Sequence, residues 1–263
     1  MRADLYLVQN GHADSRTLAQ KLIAEGAVTL DGRILKKPSE EVSEGDHAVT
    51  VTATADTRYV SRGGLKLEAA LKAFSLDPAG CIVADIGAST GGFTDCLLQN
   101  GASLVYAVDA GHGQLHPRLL SDSRVRSAEG MNARSLTPAD LLHVETEWHT
   151  AHPDAPTMDF RGWVDGIVMD VSFISQTLLH PALAGLLKDG GWMVTLVKPQ
   201  FELTKSALNR QGIVKQEKDR KAAVDRVLSS AVALGFEAVS VIPSPIEGGD
   251  GNREFLAYFV KKA

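Results

Sequence analysis

Charged side chains stand directly after strongly apolar stretches of this 263-residue chain. Asp170 follows one such stretch and Lys198 follows another. A lysine buried among other charges can lose its proton and act as a base, and a carboxylate beside it can fix its orientation. Lys66 and Glu254 carry the same two kinds of group, but sequence spacing alone does not bring them to the first pair. We predict acid–base chemistry at Asp170 and Lys198, although each of the four, taken singly, is also typical of an ordinary structural or solvated charge.

A glycine-rich loop follows a third apolar stretch and begins with Asp85. Its other candidate binding residues are Gly87, Ser89, Gly91, Gly92 and Phe93. Glycines at a strand-to-helix turn let the backbone approach a ligand closely. The spacing is not G-x-G-x-x-G, and the acid two residues before the first glycine indicates a ligand that carries a positive charge, which the sulfonium of S-adenosylmethionine satisfies.

A second acid, Asp109, ends the next predicted strand 24 residues after Asp85. In that place a carboxylate can accept hydrogen bonds from both ribose hydroxyls of an adenosine. A helix cap or a turn is the alternative interpretation of either acid. The two acids together with the glycines favour a cofactor site.

Elements that alternate between strand and helix must position these residues. A helix capped by Ser61 is predicted to run to Phe74. Strands are predicted at Ile82–Ile86, Leu104–Val108, Val164–Met169, Met193–Val197, Ala238–Ile242 and Phe255–Val260. This alternation is typical of an α/β fold with a mostly parallel, doubly wound, Rossmann-like sheet.

The N-terminal residues predict a separate, small α+β unit. Helices are expected from Asp4 to Asn10 and from Ser15 to Glu25, with Gly11 and Gly26 as their stops. Val28 and Leu30 begin a hairpin that turns at Asp31-Gly32 and returns through Ile34, and Val49 and Val51 add a strand. We predict a first domain at 1–55, a linker at 56–60 and a larger domain at 61–263.

One stretch, 143–162, shows no clear period. It holds Trp148, His149, His152, Pro153 and Pro156 in polar surroundings. The sequence predicts a surface loop there. A metal site is not predicted, because no carboxylate or cysteine stands at a recognisable ligand spacing from the histidines.

Composition limits the class of protein. Apolar residues make up 44% of the chain, enough for a sizeable core, and 27 basic against 32 acidic residues give a net charge of -5. That balance excludes a polybasic nucleic-acid coat but not a local basic face. The two cysteines indicate neither a disulfide framework nor a zinc site, and no secretion signal or apolar run of roughly 20 residues is visible. We expect a cytoplasmic protein that does not enter a membrane.

Four motifs, in order along nearly the whole chain, resemble one bacterial family. The motifs are Tyr59-Val60-Ser61-Arg62-Gly63-Gly64-Leu65-Lys66-Leu67, residues 85–95 (Asp-Ile-Gly-Ala-Ser-Thr-Gly-Gly-Phe-Thr-Asp), Asp170-Val171-Ser172-Phe173-Ile174-Ser175 and Lys198-Pro199-Gln200-Phe201-Glu202. They are similar to those of the TlyA family, historically labelled haemolysins, in which an FtsJ-like methyltransferase domain follows a ribosomal-protein-type RNA-binding domain. The resemblance implies 2′-O-methylation of ribose in ribosomal RNA, with S-adenosylmethionine as the donor.

The resemblance also assigns residues. It implies a catalytic tetrad of Lys66, Asp170, Lys198 and Glu254. On physical grounds we expect Lys198 to remove the proton of the hydroxyl, Lys66 to favour the neutral amine of Lys198 by like-charge proximity and to contact RNA, and the two acids to fix both ammonium groups. Glu129 and Asn132 are carried over as neighbours of the adenosine.

The first domain resembles the RNA-binding module of the same family. Its expected RNA contacts, together with one residue of the larger domain, are Arg2, Arg16, Lys21, Arg33 and Arg62. Residues 1–60 hold seven basic and nine acidic residues, so this module is not strongly basic. RNA binding must then come from clustering on one face, from shape and from the larger domain.

Two other functions are compatible with parts of this pattern. A ribosome-assembly factor could keep the fold and bind ribosomal RNA or subunits without turning over, but the intact tetrad argues against it. A membrane-active haemolysin, as the historical label has it, would need a spanning segment or a cationic amphipathic helix, and the sequence shows neither.

Overall fold

The computed structural model describes residues 1–13, 15–43, 45, 47–52, 58–156, 159–248 and 251–263. The described residues form two compact units, Met1–Arg58 and Tyr59–Ala263. The predicted linker, 56–60, falls at this division, and its first two residues lie outside the described residues.

The first unit packs two helices and a small antiparallel sheet. Its elements are α1 (Ala3–Gln9), α2 (Arg16–Ala24), β1 (Val28–Leu30), β2 (Arg33–Ile34) and β3 (Val49–Val51), with the strands in the order β2-β1-β3. Ser15 caps α2, because its Oγ accepts a hydrogen bond from the Leu18 N–H at 3.2 Å. The Asp31-Gly32 turn is confirmed: both residues have a positive φ, as a two-residue hairpin turn requires.

The second unit alternates strands and helices. Its elements in chain order are α3 (Gly63–Phe74), β4 (Ile82–Ile86), α4 (Gly92–Gln99), β5 (Leu104–Asp109), α5 (Pro117–Leu120), β6 (Val125–Glu129), α6 (Pro138–Ala151), β7 (Val164–Met169), α7 (His180–Leu186), β8 (Leu187–Val197), α8 (Pro199–Glu202), α9 (Glu217–Val232), β9 (Phe236–Pro243) and β10 (Phe255–Lys261). Short 3₁₀ helices lie at Gln176–Leu178 and Lys205–Ala207.

The described strands of this unit form one sheet in the order β6-β5-β4-β7-β8-β10-β9. The five strands from β6 to β8 pair in parallel, whereas β10 is antiparallel to both of its neighbours. One apolar core lies between the sheet and α6, α7 and α9, and a second lies between the sheet and α3, α4 and α5. The doubly wound α/β fold predicted from the sequence is therefore confirmed.

Three local predictions are wrong. Residues 143–151 are not a loop, because they complete α6, which Thr137 starts through a capping box with Asp140. Strand β6 was not predicted, since Arg126 interrupts its apolar pattern. The helix α3 begins at Gly63, and Arg62 rather than Ser61 precedes it.

Burial of paired polar groups explains the first two differences. Glu145 on α6 faces inward, where its carboxylate accepts hydrogen bonds from Arg126 Nε and Tyr106 Oη, each at 2.8 Å. The Arg126 guanidinium also lies 3.4 Å from the centre of the Trp148 ring. The sequences of α6 and β6 therefore look polar, although the two elements are packed against each other and their polar side chains are paired.

Candidate functional site

The four residues of the tetrad meet at one edge of the large sheet. Asp170 and Lys198 follow the carboxyl ends of the parallel neighbours β7 and β8. Glu254 precedes β10, and because β10 is antiparallel to β8 its start lies at the same edge, with Phe255 paired to Val197. Lys66 extends from the first turns of α3. The fold thus supplies the proximity that sequence spacing alone does not show.

The tetrad is organised as lysine–carboxylate pairs. Lys198 Nζ lies 2.7 Å from Asp170 Oδ1, and Lys66 Nζ lies 2.6 Å from Glu254 Oε2. The exposed fraction of the side chain is 11% for Lys198 and 12% for Lys66, so water screens these charges weakly. Lys66, Lys198 and Asp170 all line one cavity of about 310 Å³.

Two residues outside the predicted tetrad complete this geometry. Ser172 Oγ accepts a hydrogen bond from Lys198 Nζ at 2.7 Å, so two oxygens orient the amine. Gly248 lies against Glu254: a Cβ at this position would stand 2.5 Å from Glu254 Oε1. The signal for Ser172 was its place inside a family motif, whereas Gly248 stands in an irregular segment whose contact with Glu254 only the fold reveals.

The loop after β7 exposes an aromatic ring next to Lys198. Phe173 is 90% exposed and has a φ of 65°, a left-handed conformation that is strained for a bulky residue. Its ring centre lies 5.2 Å from that of Phe201. Backbone strain of this kind persists only where the surrounding structure imposes it. The strained conformation leaves the Phe173 ring exposed, so that it presents an apolar surface beside the Lys198 amine.

The glycine-rich loop borders the same cavity. Asp85, Gly87, Ser89, Gly92 and Phe93 line it. Gly91 precedes α4 in a left-handed conformation with a φ of 92°, and a Cβ on Gly87 would stand 2.9 Å from the carbonyl oxygen of Asp170. These glycines therefore keep the loop close to the catalytic strand ends.

Asp85 is a buried acid with one unused oxygen. Its Oδ2 accepts hydrogen bonds from Thr94 N–H at 2.9 Å and Thr94 Oγ1 at 2.7 Å, whereas Oδ1 has no partner among the described residues. Burial raises the pKa of Asp85 to about 7, against the lowering effect of the Thr94 hydrogen bonds. An orphaned carboxylate oxygen in a cavity wall suits a cationic ligand. This is the feature of the site that fits S-adenosylmethionine.

A neighbouring cavity of about 410 Å³ contains two of the residues that the sequence predicts to bind the adenosine, Asp109 and Asn132. Asp109, Asn132, Met131 and Leu179 line it, and Ser89 is common to both cavities. Asp109 accepts hydrogen bonds from the N–H groups of Ser89 at 2.8 Å and Gly111 at 2.7 Å. Its carboxylate is thereby fixed at the end of β5, with lone pairs left for further donors.

Glu129 lies at the end of β6, paired with Asp109 in the sheet, but it is not one of the residues that line this cavity. It accepts hydrogen bonds from the N–H groups of Gly113 and Gln114, and the first of these chiefly lowers its pKa. Glu129 therefore holds the loop that contains Gln114, and Gln114 lines this cavity. A direct contact between Glu129 and the adenosine stays a prediction.

The basic residues of the first unit that are expected to contact RNA each lie close to an acid. Asp4 is fully buried and pairs with Arg2 and Arg16, at 3.0 and 2.9 Å, and the Arg2 hydrogen bond chiefly lowers its pKa. Half of the Arg16 side chain remains exposed. Lys21 is close to Glu25, and Arg33 pairs with Glu40. In the second unit, Arg62 is exposed and lines the cavity of the tetrad.

Among the described helices, none combines the length and the apolar character that a membrane crossing needs.

Comparison with known proteins assigns a different domain family to each of the two units. The model of the FtsJ-like methyltransferase family matches residues 59–261, and that of the S4 domain matches residues 1–47. The 16S/23S rRNA (cytidine-2′-O)-methyltransferase TlyA of Mycobacterium tuberculosis is 40% identical over 98% of this chain and 88% of its own. Hemolysin A of Brachyspira hyodysenteriae is 36% identical over 99% of this chain and all of its own.

A solved structure of a hemolysin-like protein from Streptococcus thermophilus is also similar. It matches with a TM-score of 0.71 and 41% identity, over all of this chain and 88% of that one.

Proposed function

Because the chain belongs to the FtsJ-like methyltransferases of the TlyA type, we propose that it transfers a methyl group to the 2′-hydroxyl of ribose in ribosomal RNA. The observation that carries this proposal is the two ion pairs, Lys198–Asp170 and Lys66–Glu254, whose lysines both line the cavity that the glycine-rich loop borders. A ribose hydroxyl is a weak nucleophile at neutral pH. A site that modifies it must therefore accept its proton and hold its oxygen in line.

S-adenosylmethionine supplies an electrophilic methyl group on a sulfonium when it is bound. Asp85 would hold a cationic part of this cofactor through the oxygen that has no partner. Asp109 would accept from the ribose hydroxyls, and Asn132 lines the same cavity beside it. A Cβ on Gly87, Gly91 or Gly92 would stand 2.9, 2.2 or 2.2 Å from a neighbouring protein atom, so these glycines let the loop pack closely against the residues around it.

Lys198 is the proposed general base. The ammonium must first lose a proton to solvent, and the neutral amine would then accept the proton of the 2′-hydroxyl, while Asp170 and Ser172, each 2.7 Å away, fix its direction. As the proton arrives, the ammonium that forms gains the full attraction of Asp170 in a cavity where water screens weakly. The acid therefore stabilises the transition state more than the ground state.

Lys66 lines the same cavity, and Glu254 is its ion-pair partner. Lys66 Nζ lies 2.6 Å from Glu254 Oε2, and we propose that it attracts the RNA phosphate next to the target ribose. Gly248 permits this ion pair, because only a residue without a side chain leaves room for the Glu254 carboxylate.

The S4 domain is the proposed RNA-binding module. Asp4 orders Arg2 and Arg16 in one place, which lowers the entropy cost of presenting their guanidinium groups to a phosphate backbone. Lys21, Arg33 and Arg62 would add further phosphate contacts. Ribosomal RNA as the substrate also implies that the protein acts in the cytoplasm.

Methyl transfer to isolated ribosomal subunits tests this function. Subunits from cells that lack the protein should accept labelled methyl groups from S-adenosylmethionine, and mapping should place the label on ribose 2′-oxygens. Binding of subunits without any transfer would instead identify a non-catalytic assembly factor. Label on a base would contradict the proposed chemistry.

A further inference from the structure

Glu202 connects the two loops that carry the Asp170–Lys198 pair, the loop after β7 and the loop after β8. It ends α8, four residues after Lys198, and is 2% exposed. Its Oε2 accepts a hydrogen bond from Ser175 Oγ at 2.5 Å, and its Oε1 accepts one from the N–H of Gln176 at 2.9 Å. One buried carboxylate therefore bridges the loop after β7 and the loop after β8.

Further contacts fix this bridge at both ends. Arg226 on α9 donates to the main-chain oxygen of Glu202 at 2.8 Å. Ser175 also accepts from the N–H of Thr177 and so starts the 3₁₀ helix that follows the loop. Burial raises the pKa of Glu202, which shows that the protein keeps an acid where burial is unfavourable. Neither Glu202 nor Ser175 lines the cavity of the tetrad.

We propose that Glu202 is a positioning residue for the methyl transfer. By tying loop 170–176 to loop 198–202, it holds Asp170 and Ser172 at hydrogen-bond distance from Lys198 Nζ. This inference rests on the proposed function, because it concerns the geometry of the same base. General-base catalysis requires placement to within about 0.5 Å, and an error of about 1 Å can cost on the order of 10²-fold in rate.

Three variants of the full chain separate positioning from mere stability. Glu202→Ala removes both acceptors. Glu202→Gln keeps an acceptor for the Gln176 N–H and offers an amide that can donate to Ser175 Oγ, so it should rescue the geometry. Ser175→Ala removes the hydrogen bond to Glu202 Oε2 and the two that Ser175 Oγ makes with Thr177, but it leaves the bond from the Gln176 N–H to Glu202 in place.

Glu145→Ala is the matched control. It also removes a buried carboxylate with side-chain donors, Arg126 and Tyr106, but beside the edge strand β6, which β5 and β4 separate from β7. It should lower the melting temperature and leave kcat unchanged.

The measurement is steady-state methylation of ribosomal subunits, with S-adenosylmethionine affinity and thermal unfolding of each variant. We expect Glu202→Ala to lower kcat by about 10- to 100-fold, with KM for subunits and cofactor affinity within about threefold of wild type. Glu202→Gln should retain kcat within about threefold, and Ser175→Ala should lower it by roughly three- to tenfold.

Other results overturn the inference. If folded Glu202→Ala turns over at the wild-type rate, the bridge serves stability alone. If Glu202→Ala does not fold, an unchanged kcat for Ser175→Ala likewise shows that the bridge serves stability alone. If instead the wild type and Glu145→Ala both fail to methylate subunits, the proposed function is wrong rather than the role of Glu202.

Discussion

Cofactor affinity should depend on pH through Asp85. This acid has a pKa of about 7 in the cofactor-free protein, because burial opposes its charged form and leaves Oδ1 without a partner among the described residues. A bound cation favours the charged form. Binding must therefore expel a proton at any pH below about 7.

The magnitude follows from the pKa. If the complex holds Asp85 ionised, the dissociation constant should be nearly constant above pH 8 and rise about tenfold for each unit below pH 7. Close to one proton should be released for each cofactor bound at pH 6, and only about a tenth of one at pH 8. Asp85→Asn should remove this dependence and weaken binding at pH 8 by roughly 10- to 100-fold, the cost of one charge-assisted hydrogen bond.

Isothermal titration calorimetry between pH 5.5 and 8, in buffers of different ionisation enthalpy, measures both the affinity and the proton count. Thr94→Val supplies a second test, because losing the 2.7 Å hydrogen bond from Thr94 Oγ1 should raise the pKa of Asp85 and move the pH dependence upward. An affinity that does not change across this range, or an Asp85→Asn protein with the wild-type pH profile, would refute the assignment of Asp85 to the cation.

Three further predictions concern the rest of the site. Asp109→Ala should remove most of the S-adenosylmethionine affinity, because it takes away the acceptor for the ribose hydroxyls, and calorimetry that shows unchanged affinity would contradict this. Gly248→Ala should lower kcat by about tenfold or more while cofactor binding persists, since its Cβ would displace Glu254, and a wild-type kcat would exclude that contact. Arg16→Ala should raise KM for ribosomal subunits and flatten its salt dependence with kcat unchanged, and identical salt slopes for variant and wild type would exclude Arg16 from the RNA contacts.

The strand ends of the large domain could be predicted from the sequence, because apolar runs followed by a charge mark them. Asp170 and Lys198 stand where β7 and β8 were expected to end. The approach of Glu254 could not be predicted, since it depends on β10 entering the sheet antiparallel between β8 and β9. Hydrophobic periodicity and composition do not show which strands are neighbours in the sheet.

Paired buried charges account for the main errors. Arg126 and Glu145 satisfy each other between β6 and α6, so each element looks too polar for the core when its sequence is considered alone. The hydrogen bond from Ser175 to Glu202 could not be predicted for a similar reason, because the two residues end separate motifs and lie 27 positions apart. Partners so distant in sequence become visible only when the strands are placed side by side.

The central claim is that Lys198 accepts the proton of the ribose hydroxyl, and Lys198→Arg tests it most directly. A guanidinium keeps the positive charge and can still donate to Asp170 and Ser172, but it cannot act as a base in this pH range. Single-turnover methyl transfer to ribosomal subunits should slow by roughly 10² to 10⁴, with cofactor affinity little changed. A variant that keeps more than about half of the wild-type rate would contradict the general-base role and leave Lys198 with electrostatic positioning alone.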